Sequence, residues 1–314
     1  MNKLFEKDAR VAFIGDSITH NGGAVSHVQD YYYKNLPERR VRIFNLGIGG
    51  DTARGATGRI DEILSVRPTE AVVMFGVNDM GVGYYDKSPS EEHLRLRAER
   101  RKAHLDAIKE LVFRLRELSL PVTLCSAVGR DELSPGDCNT TGATAALYEM
   151  FGDNVTAIGV ENLKNTVDYL TPLQKLQGEL VAVGGPSLFV PDRTHPSPLG
   201  QQMMARIFLA AQGLEVSLPS AREIADGWCE EALSAPIRER CTFENSWRNL
   251  HFVYPHQRNL CGEIPLKERI EFFRARIESE PVGYLRSMLE YYVKDAERED
   301  EIFAEYLRRT EELY

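Results

Sequence analysis

A serine suited to nucleophilic chemistry follows the first apolar run of the chain. The run at residues 10–14 is typical of a buried strand, and Gly15, Asp16 and Ser17 come directly after it. Parallel α/β sheets place their active sites at the carboxyl ends of strands, and a glycine there lets the backbone turn sharply. Ser17 is therefore a candidate nucleophile. The alternative is that Asp16 and Ser17 only cap the following helix, since both residue types are common caps.

Two further turns supply groups that can stabilise a negatively charged oxygen. Gly50 follows the second apolar run, and Asn78 lies at the end of the third. A backbone N–H of a turn glycine and a side-chain amide are both donors of the kind that form an oxyanion hole. The Gly-x-Gly before Gly50 does not complete a dinucleotide fingerprint, because Thr52 stands where the third glycine is required. We therefore predict an oxyanion hole formed by Ser17, a glycine of this turn and Asn78, with a simple turn as the alternative for Asn78.

A base for the serine is supplied by a short loop between prolines. A serine hydroxyl is unreactive near neutral pH until a neighbouring group accepts its proton. Asp192 stands three residues before His195, so its carboxylate can accept the Nδ1 hydrogen of the imidazole and leave Nε2 to face the serine. No other histidine has such a carboxylate turn. His20 lies close to Ser17 in sequence and is a candidate substrate contact.

Two more candidate substrate contacts come from the turns after other strands. Tyr84 follows the third apolar run, and Arg130 follows the fourth. Loops at these strand ends rim the same crevice as Ser17. Arg130 is suited to a carboxylate or a hydroxyl-rich substrate. An ordinary surface position is the alternative for Tyr84, Arg130 and His20.

The elements that carry these residues alternate between apolar runs and helical stretches. This alternation predicts parallel strands joined by helical crossovers, and the strands are expected at residues 10–14, 41–46, 71–77 and 121–128. Residues 91–118 keep helical spacing, and Ser197-Pro198 begins a capped helix that ends before Gly213. The segment 141–185 is open between helix, strand and loop. After about residue 216 strand-like runs disappear, and the rest of the chain is expected to be mostly helical.

In their types and order, the motifs resemble those of the SGNH hydrolases, the GDSL-type lipase/esterase family. The serine, glycine and asparagine motifs and the Asp-x-x-His motif occur in the family's order between residues 15 and 195, with isoleucine in place of the family's leucine after the serine. The resemblance implies a three-layer α/β/α, flavodoxin-like sandwich with a parallel sheet. It implies that Ser17 attacks an ester carbonyl, that His195 acts as base and then acid, and that Asp192 orients His195. Ser17, Gly50 and Asn78 would form the oxyanion hole.

The resemblance covers only part of the chain. We predict an SGNH hydrolase catalytic domain at residues 1–215 and a helical C-terminal extension at residues 216–314. The extension lies outside the family's common pattern, so its role is not inherited. It is expected to pack on the main domain or on another subunit, and a homo-oligomer formed through the C-terminal helices is one possible consequence.

Other catalytic classes lack their motifs. The chain contains no Gly-x-Ser-x-Gly elbow of the α/β-hydrolases and no His-Glu-x-x-His zinc motif. Its five cysteines are widely spaced, without Cys-x-x-Cys pairs, so neither a disulfide framework nor a zinc site is supported. We expect no metal and no cofactor.

Charge and hydropathy restrict the partners. The formal net charge is −9, which argues against binding nucleic acid or an anionic membrane through bulk charge. The apolar runs are far shorter than the roughly 20 residues of a membrane-spanning helix, and the first eight residues lack the apolar core of a signal peptide. We therefore expect a cytoplasmic protein whose partner is a small-molecule ester.

The function predicted from the residues and the resemblance is that of a serine esterase. Its expected substrate is a small acyl, in particular acetyl, ester of a soluble compound such as a sugar. Acyl transfer to another acceptor, or a lysophospholipase- or thioesterase-type lipolytic activity, would use the same site. The non-enzymatic alternative is a catalytically silent binding or scaffold protein.

Overall fold

Five parallel strands form the central sheet of the computed structural model, which describes residues 3–229, 231–250 and 266–314. The strand order is β2-β1-β3-β4-β5, the order of flavodoxin-like doubly wound folds. The strands are β1 (Arg10–Gly15), β2 (Arg42–Asn45), β3 (Glu70–Met74), β4 (Val122–Cys125) and β5 (Asn165–Val167). Nearly all their residues are buried, as continuous apolar runs require.

Helices cover both faces of the sheet. The described helices are α1 (Ser17–Asn21), α2 (Gly23–Asn35), α3 (Ala53–Gly58), α4 (Ile60–Leu64), α5 (Val77–Met80), α6 (Glu91–Glu117), α7 (Ala143–Ile158), α8 (Leu170–Val183), α9 (Pro198–Ala211), α10 (Ala221–Ala225), α11 (Ala235–Arg248), α12 (Leu266–Ser279), α13 (Tyr284–Ala296) and α14 (Glu299–Glu311). Helices α2, α8 and α9 pack on one face, and α3, α6 and α7 pack on the other. The predicted α/β/α sandwich is thereby confirmed.

The structure also settles the segment that the sequence left open. Residues 141–185 form α7, β5 and α8, so that Val155 and Val181 both lie in helices. Strand β3 ends at Met74, three residues before the predicted end, because the chain turns there into α5. Helix α9 begins as predicted, with the Ser197 hydroxyl accepting a hydrogen bond from the Gly200 N–H at 3.2 Å.

The chain divides into two compact units, residues 1–232 and 233–314. The first unit extends beyond residue 215, where the sequence places the domain boundary, because α10 packs against α8. In the second unit α11 packs against α14 and α12 against α13. Within the described part of the chain, no helix is long and apolar enough to cross a membrane.

An aromatic cluster joins the sheet of the first unit to α2 and α9. Phe208 of α9 is fully buried, and its ring centroid lies 5.4 Å from that of Phe13 in β1 and 5.8 Å from that of Phe5. Phe5 lies 5.3 Å from Tyr32 of α2, whose hydroxyl donates to Gln212 at 3.0 Å. This cluster fixes α9, and with it the loop before α9, relative to β1.

Replacing Phe208 with alanine tests how much this cluster contributes to the stability of the protein. We expect the free energy of unfolding of Phe208→Ala to fall by about 3–5 kcal/mol, because the substitution removes buried apolar surface and leaves a cavity. Urea unfolding followed by circular dichroism measures the change. Phe208→Leu keeps most of the apolar volume and should lose less. A loss below about 1 kcal/mol in the alanine variant would contradict the assignment.

Candidate active site

A hydrogen-bonded chain of serine, histidine and aspartate lies at the carboxyl edge of the sheet. Ser17 begins α1 immediately after β1, and its Oγ lies 2.7 Å from Nε2 of His195 on the loop before α9. Nδ1 of His195 lies 2.6 Å from Oδ2 of Asp192. An ionised carboxylate only accepts hydrogen bonds, so Nδ1 carries the hydrogen and Nε2 is left to accept from the serine hydroxyl.

The loop keeps Asp192 in its ionised form. Partial burial acts to raise the pKa of Asp192, but hydrogen bonds from the backbone N–H groups of His195 and Thr194 and from the imidazole outweigh it and lower the pKa. The two N–H groups donate to Oδ1 at 2.9 and 2.8 Å. The loop that carries Asp192 and His195 is called the base loop below. It is closed by the Val190 N–H, which donates to the His195 carbonyl at 2.9 Å. The carboxylate therefore has a fixed position beside the imidazole.

The turn at the serine combines both roles that the sequence allows. The buried side chain of Asp16 accepts a hydrogen bond from the Ile18 N–H at 2.9 Å and so caps α1, while Ser17 contacts the histidine. Gly15 is sterically required, because a Cβ there would lie 2.9 Å from the Met74 carbonyl oxygen. Capping thus orients the serine rather than competing with its function.

Asn78 is joined by a hydrogen bond to the turn that contains Gly50. The Asn78 side-chain amide donates to the Asp51 carbonyl at 2.9 Å, which uses one of its two hydrogens. Gly50, the residue before Asp51, has a φ of +82°, a conformation that favours glycine. The Ile48 N–H of the same turn donates to the Gly15 carbonyl at 3.0 Å. These bonds attach the glycine turn and the asparagine to the strand end that carries the serine.

Comparison with known proteins identifies the family of the chain. The model of the GDSL-like Lipase/Acylhydrolase family matches residues 13–203, a range that contains all five of the residues just described as nucleophile, base, orienter and oxyanion donors. The chain belongs to this family. The SGNH resemblance inferred from the sequence is thereby confirmed, and the chain is a carboxylic ester hydrolase.

Several relatives of this GDSL-like chain are themselves esterases. An acetylxylan esterase of Geobacillus stearothermophilus is 26% identical over 224 residues, which are 66% of this chain and 94% of the relative. The solved structure of an acetyl-xylooligosaccharide esterase from the same organism has a TM-score of 0.53 and 24% identity, covering 70% of this chain and all of the other. A gut microbial diltiazem-metabolizing enzyme has a TM-score of 0.77 and 18% identity, covering 99% of this chain and 94% of that enzyme. These structural likenesses show a shared fold.

A buried ion pair holds the glycine turn of this acylhydrolase. Arg59 is only 4% exposed, and its Nε and Nη2 donate to Oδ2 of Asp51 at 3.0 and 2.8 Å. Nη2 also donates to the Leu46 carbonyl at 2.9 Å, and Oδ1 of Asp51 accepts from the Thr52 N–H at 2.8 Å. The sequence analysis missed this pair, because neither residue belongs to a pattern that signals contact with the other.

Asp79, which follows Asn78 in sequence, belongs to a second buried cluster that the sequence analysis did not predict. Oδ1 of Asp79 accepts from the Ala53 N–H at 3.1 Å and lies 3.2 Å from Nδ1 of His104 on α6. Nε2 of His104 lies 2.9 Å from the Asn154 amide nitrogen on α7. The amide donates to Nε2, so Nδ1 carries the hydrogen of the neutral imidazole; it lies beside the carboxylate but makes no hydrogen bond. The cluster ties the asparagine turn to three helices.

The three predicted substrate contacts have different surroundings. His20 is half-buried in α1, and its backbone N–H donates to the Asp16 carbonyl at 2.9 Å. Tyr84 lies in a short 3₁₀ turn after α5, next to an open groove. The Arg130 guanidinium donates to the Thr194 hydroxyl and to Asn139. Arg130 therefore contacts the base loop, a positioning contact that the sequence did not predict.

The described residues contain no group of three or more histidine, cysteine, aspartate or glutamate side chains that could hold a metal ion. Of the five cysteines, Cys261 lies outside the described residues, and the other four have free thiols.

Removing the charges of the Arg59–Asp51 pair tests its positioning role. Arg59→Met should destabilise the protein by about 3–5 kcal/mol, because it leaves a buried carboxylate unpaired. The double variant Arg59→Met/Asp51→Asn has no charge at either position and should regain stability. Its kcat should nevertheless stay about 10- to 100-fold below wild type with little change in KM, since the turn is no longer anchored. Thermal unfolding and steady-state kinetics measure both. Recovery of kcat together with stability would show that the pair is only structural.

The Asp16 carboxyl makes stability depend on pH. Burial is the main cause that raises its pKa from 3.8 to about 7; Asp79 and Asp51 raise it further, while the Ile18 N–H bond and His195 lower it. Between these two pH values the folded protein holds a proton that the unfolded chain has released, so this group makes stability fall as pH rises from about 4 to 7. Above pH 7 the whole loss, about 4 kcal/mol, is present.

Asp16→Asn keeps an oxygen that can accept the Ile18 N–H bond, but it cannot ionise. We therefore expect the melting temperature of this variant to exceed that of wild type by several degrees more at pH 8 than at pH 5, as measured by calorimetry. The difference between variant and wild type removes the contribution of groups that titrate alike in both. An equal difference at both pH values would contradict a raised pKa.

Proposed function

We propose that this family member is a serine esterase that removes small acyl groups, in particular acetyl, from a soluble substrate such as a sugar. The observation that carries the proposal is the continuous chain of 2.7 and 2.6 Å hydrogen bonds from Ser17 through His195 to Asp192. An intact chain of this kind also argues against a catalytically silent scaffold, because only catalysis requires all three side chains in this order.

The geometry supports a two-step mechanism. In the first step Ser17 Oγ attacks the ester carbonyl carbon while His195 Nε2 accepts the hydroxyl proton. The carbonyl oxygen becomes negatively charged and receives hydrogen bonds from the backbone N–H groups of Ser17 and Gly50 and from the Asn78 amide. His195 then gives its proton to the leaving alcohol, and an acyl-enzyme on Ser17 remains. The ionised Asp192 stabilises the imidazolium throughout.

In the second step a water molecule replaces the alcohol. His195 Nε2 accepts a proton from the water as its oxygen attacks the acyl carbon. The tetrahedral intermediate collapses, the acid leaves, and the proton returns from His195 to Ser17 Oγ. If a sugar or another alcohol takes the place of water, the same steps transfer the acyl group to it.

The substrate class is supported by the relatives and by the edge of the site. The acetylxylan esterase that is similar over 94% of its own length acts on an acetylated polysaccharide, as its name states. The groove beside Asn78 combines Val77 and Val82 with the side chains of Tyr84, His93 and Arg100, whose hydrogen-bonding groups suit the hydroxyls of a sugar. A cytoplasmic location and self-association through the C-terminal helices stay predictions.

Rates on an acyl-length series test the proposal. For wild type we expect turnover of p-nitrophenyl acetate and acetylated sugars to exceed that of butyrate and long-chain esters. Ser17→Ala should lose at least about 10³-fold in kcat while remaining folded. Ser65→Ala, at an exposed serine after α4, is the control and should retain full activity. Retained turnover in Ser17→Ala would remove Ser17 from the mechanism.

Other outcomes of this experiment distinguish the alternatives. Rates that rise toward long acyl chains would favour a lipolytic enzyme. New esters formed when free sugars or alcohols are added would favour an acyltransferase.

A further inference from the structure

An open groove of about 490 Å³ adjoins Asn78 and contains an arginine without a carboxylate partner. The residues that matter here are Asn78, Tyr84, His93 and Arg100. Known small-molecule sites have volumes of about 300–1,000 Å³. An acetyl group would fill only a small part of this space, so the groove is suited to the other half of an ester, the leaving alcohol.

The charge of Arg100 is not neutralised by the described residues. Its Nη1 makes only long hydrogen bonds, 3.5 Å to the Asn78 carbonyl and 3.3 Å to the Asp79 carbonyl. Two other arginines of the same helix, α6, each pair with two carboxylates: Arg95 with Glu92 and Glu99, and Arg101 with Glu149 and Asp153. No carboxylate of the described residues therefore balances the charge of Arg100, although the net charge of the chain is −9.

The surroundings of Arg100 hold it in a fixed place. Its guanidinium carbon lies 5.2 Å from the centroid of the Tyr84 ring, within the range of a cation–π contact. The Tyr84 backbone is held by Arg97, whose Nε donates to the Tyr84 carbonyl at 2.8 Å. Nη1 alone is engaged, so the Nε and Nη2 donors of Arg100 have no partner among the described residues.

His93 completes the polar wall of the groove. Its ring meets the Tyr84 ring edge-on with centroids 5.4 Å apart, and its Nδ1 lies 2.6 Å from Oδ2 of Asp86. The carboxylate of Asp86 is bound to His93 rather than to Arg100. The groove thus offers an aromatic ring, an imidazole and a planar cation to a ligand.

We propose that this groove binds the leaving-group half of the substrate and recognises a carboxylate on it through Arg100. The preferred substrates are then acetyl esters of acidic sugars, uronates, rather than of neutral sugars. A guanidinium presents parallel N–H donors that match the two oxygens of a carboxylate, and an aromatic ring suits the apolar face of a sugar. This inference rests on the proposed function, because it takes Ser17 as the nucleophile and Asn78 as an oxyanion donor.

The test compares two substrates that differ only in the carboxylate. They are the methyl glycosides of glucuronic acid and of glucose, each acetylated at the same hydroxyl. For wild type we expect kcat/KM for the glucuronide to exceed that for the glucoside at least about tenfold, equivalent to about 1.4 kcal/mol. In Arg100→Met the ratio should fall to about one, and Arg100→Lys should retain only part of it because lysine lacks the planar fork.

The ratio separates recognition from general damage. Both substrates release the same acetyl group, so a disturbed oxyanion hole lowers both rates equally and leaves the ratio unchanged. Arg95→Met removes one positive charge from the same helix at an exposed site and should keep the wild-type ratio. A ratio near one in wild type, or a wild-type ratio in Arg100→Met, would overturn the proposal.

A binding measurement separates this proposal from the proposed function. Calorimetric titration of wild type with methyl glucuronide, which carries no ester, needs no turnover. Binding that is tighter than that of methyl glucoside and is lost in Arg100→Met would support the groove even if neither acetylated sugar were hydrolysed. That combination would reject only the assumed reaction, whereas equal binding of the two glycosides would reject the groove.

Discussion

The hydrogen bond between Ser17 and His195 joins residues that are 178 positions apart in the chain, so it forms only if both ends of the hydrolase fold reach the same sheet edge. The serine is fixed by β1, and the histidine by the loop that enters α9. Helix α9 is held against the start of the chain by buried Gln201, whose Oε1 accepts from the Ala24 N–H at 2.9 Å. The aromatic cluster around Phe208 supplies the apolar part of the same attachment. Packing remote from the site therefore sets the distance on which proton transfer depends.

Three carboxylates at this edge create a second constraint, because the proposed mechanism forms a negatively charged oxygen near them. Each of the three carboxylates has different surroundings in the fold. Asp16 is buried and its pKa rises to about 7, Asp51 is paired with Arg59, and Asp79 accepts the Ala53 N–H and lies 3.2 Å from Nδ1 of His104. The raised pKa of Asp16 and the positive charge of Arg59 reduce the negative charge that would oppose the proposed oxyanion. The same side chains also position the serine turn and the donor turns, so charge balance and geometry share one set of residues.

Because apolar periodicity and turn residues are local signals, the sequence predicted parallel strands with helical crossovers, the long helix α6 and the side chains at the strand ends. The flavodoxin-like sandwich was predicted from the family resemblance instead. It did not predict β5, which has only three residues and two polar side chains, Asn165 and Thr166. Nor did it reveal Arg59 or His104, whose partners are chosen by folding rather than by spacing. Arg130 could be placed near the site, but its contact with Thr194 depends on how two loops meet. The sequence thus predicted the candidate site residues but not the long-range contacts that hold them in place.

The edge strands of the sheet, β2 with four residues and β5 with three, are both short. A strand from another molecule would form few backbone hydrogen bonds with either edge, so the sheet provides a poor template for strand addition. Asn165 of β5 already donates its side-chain amide to the Ala211 carbonyl at 3.1 Å. A sheet whose long, apolar strands all lie in its centre can therefore stay resistant to aggregation while its carboxyl edge remains open to solvent for catalysis.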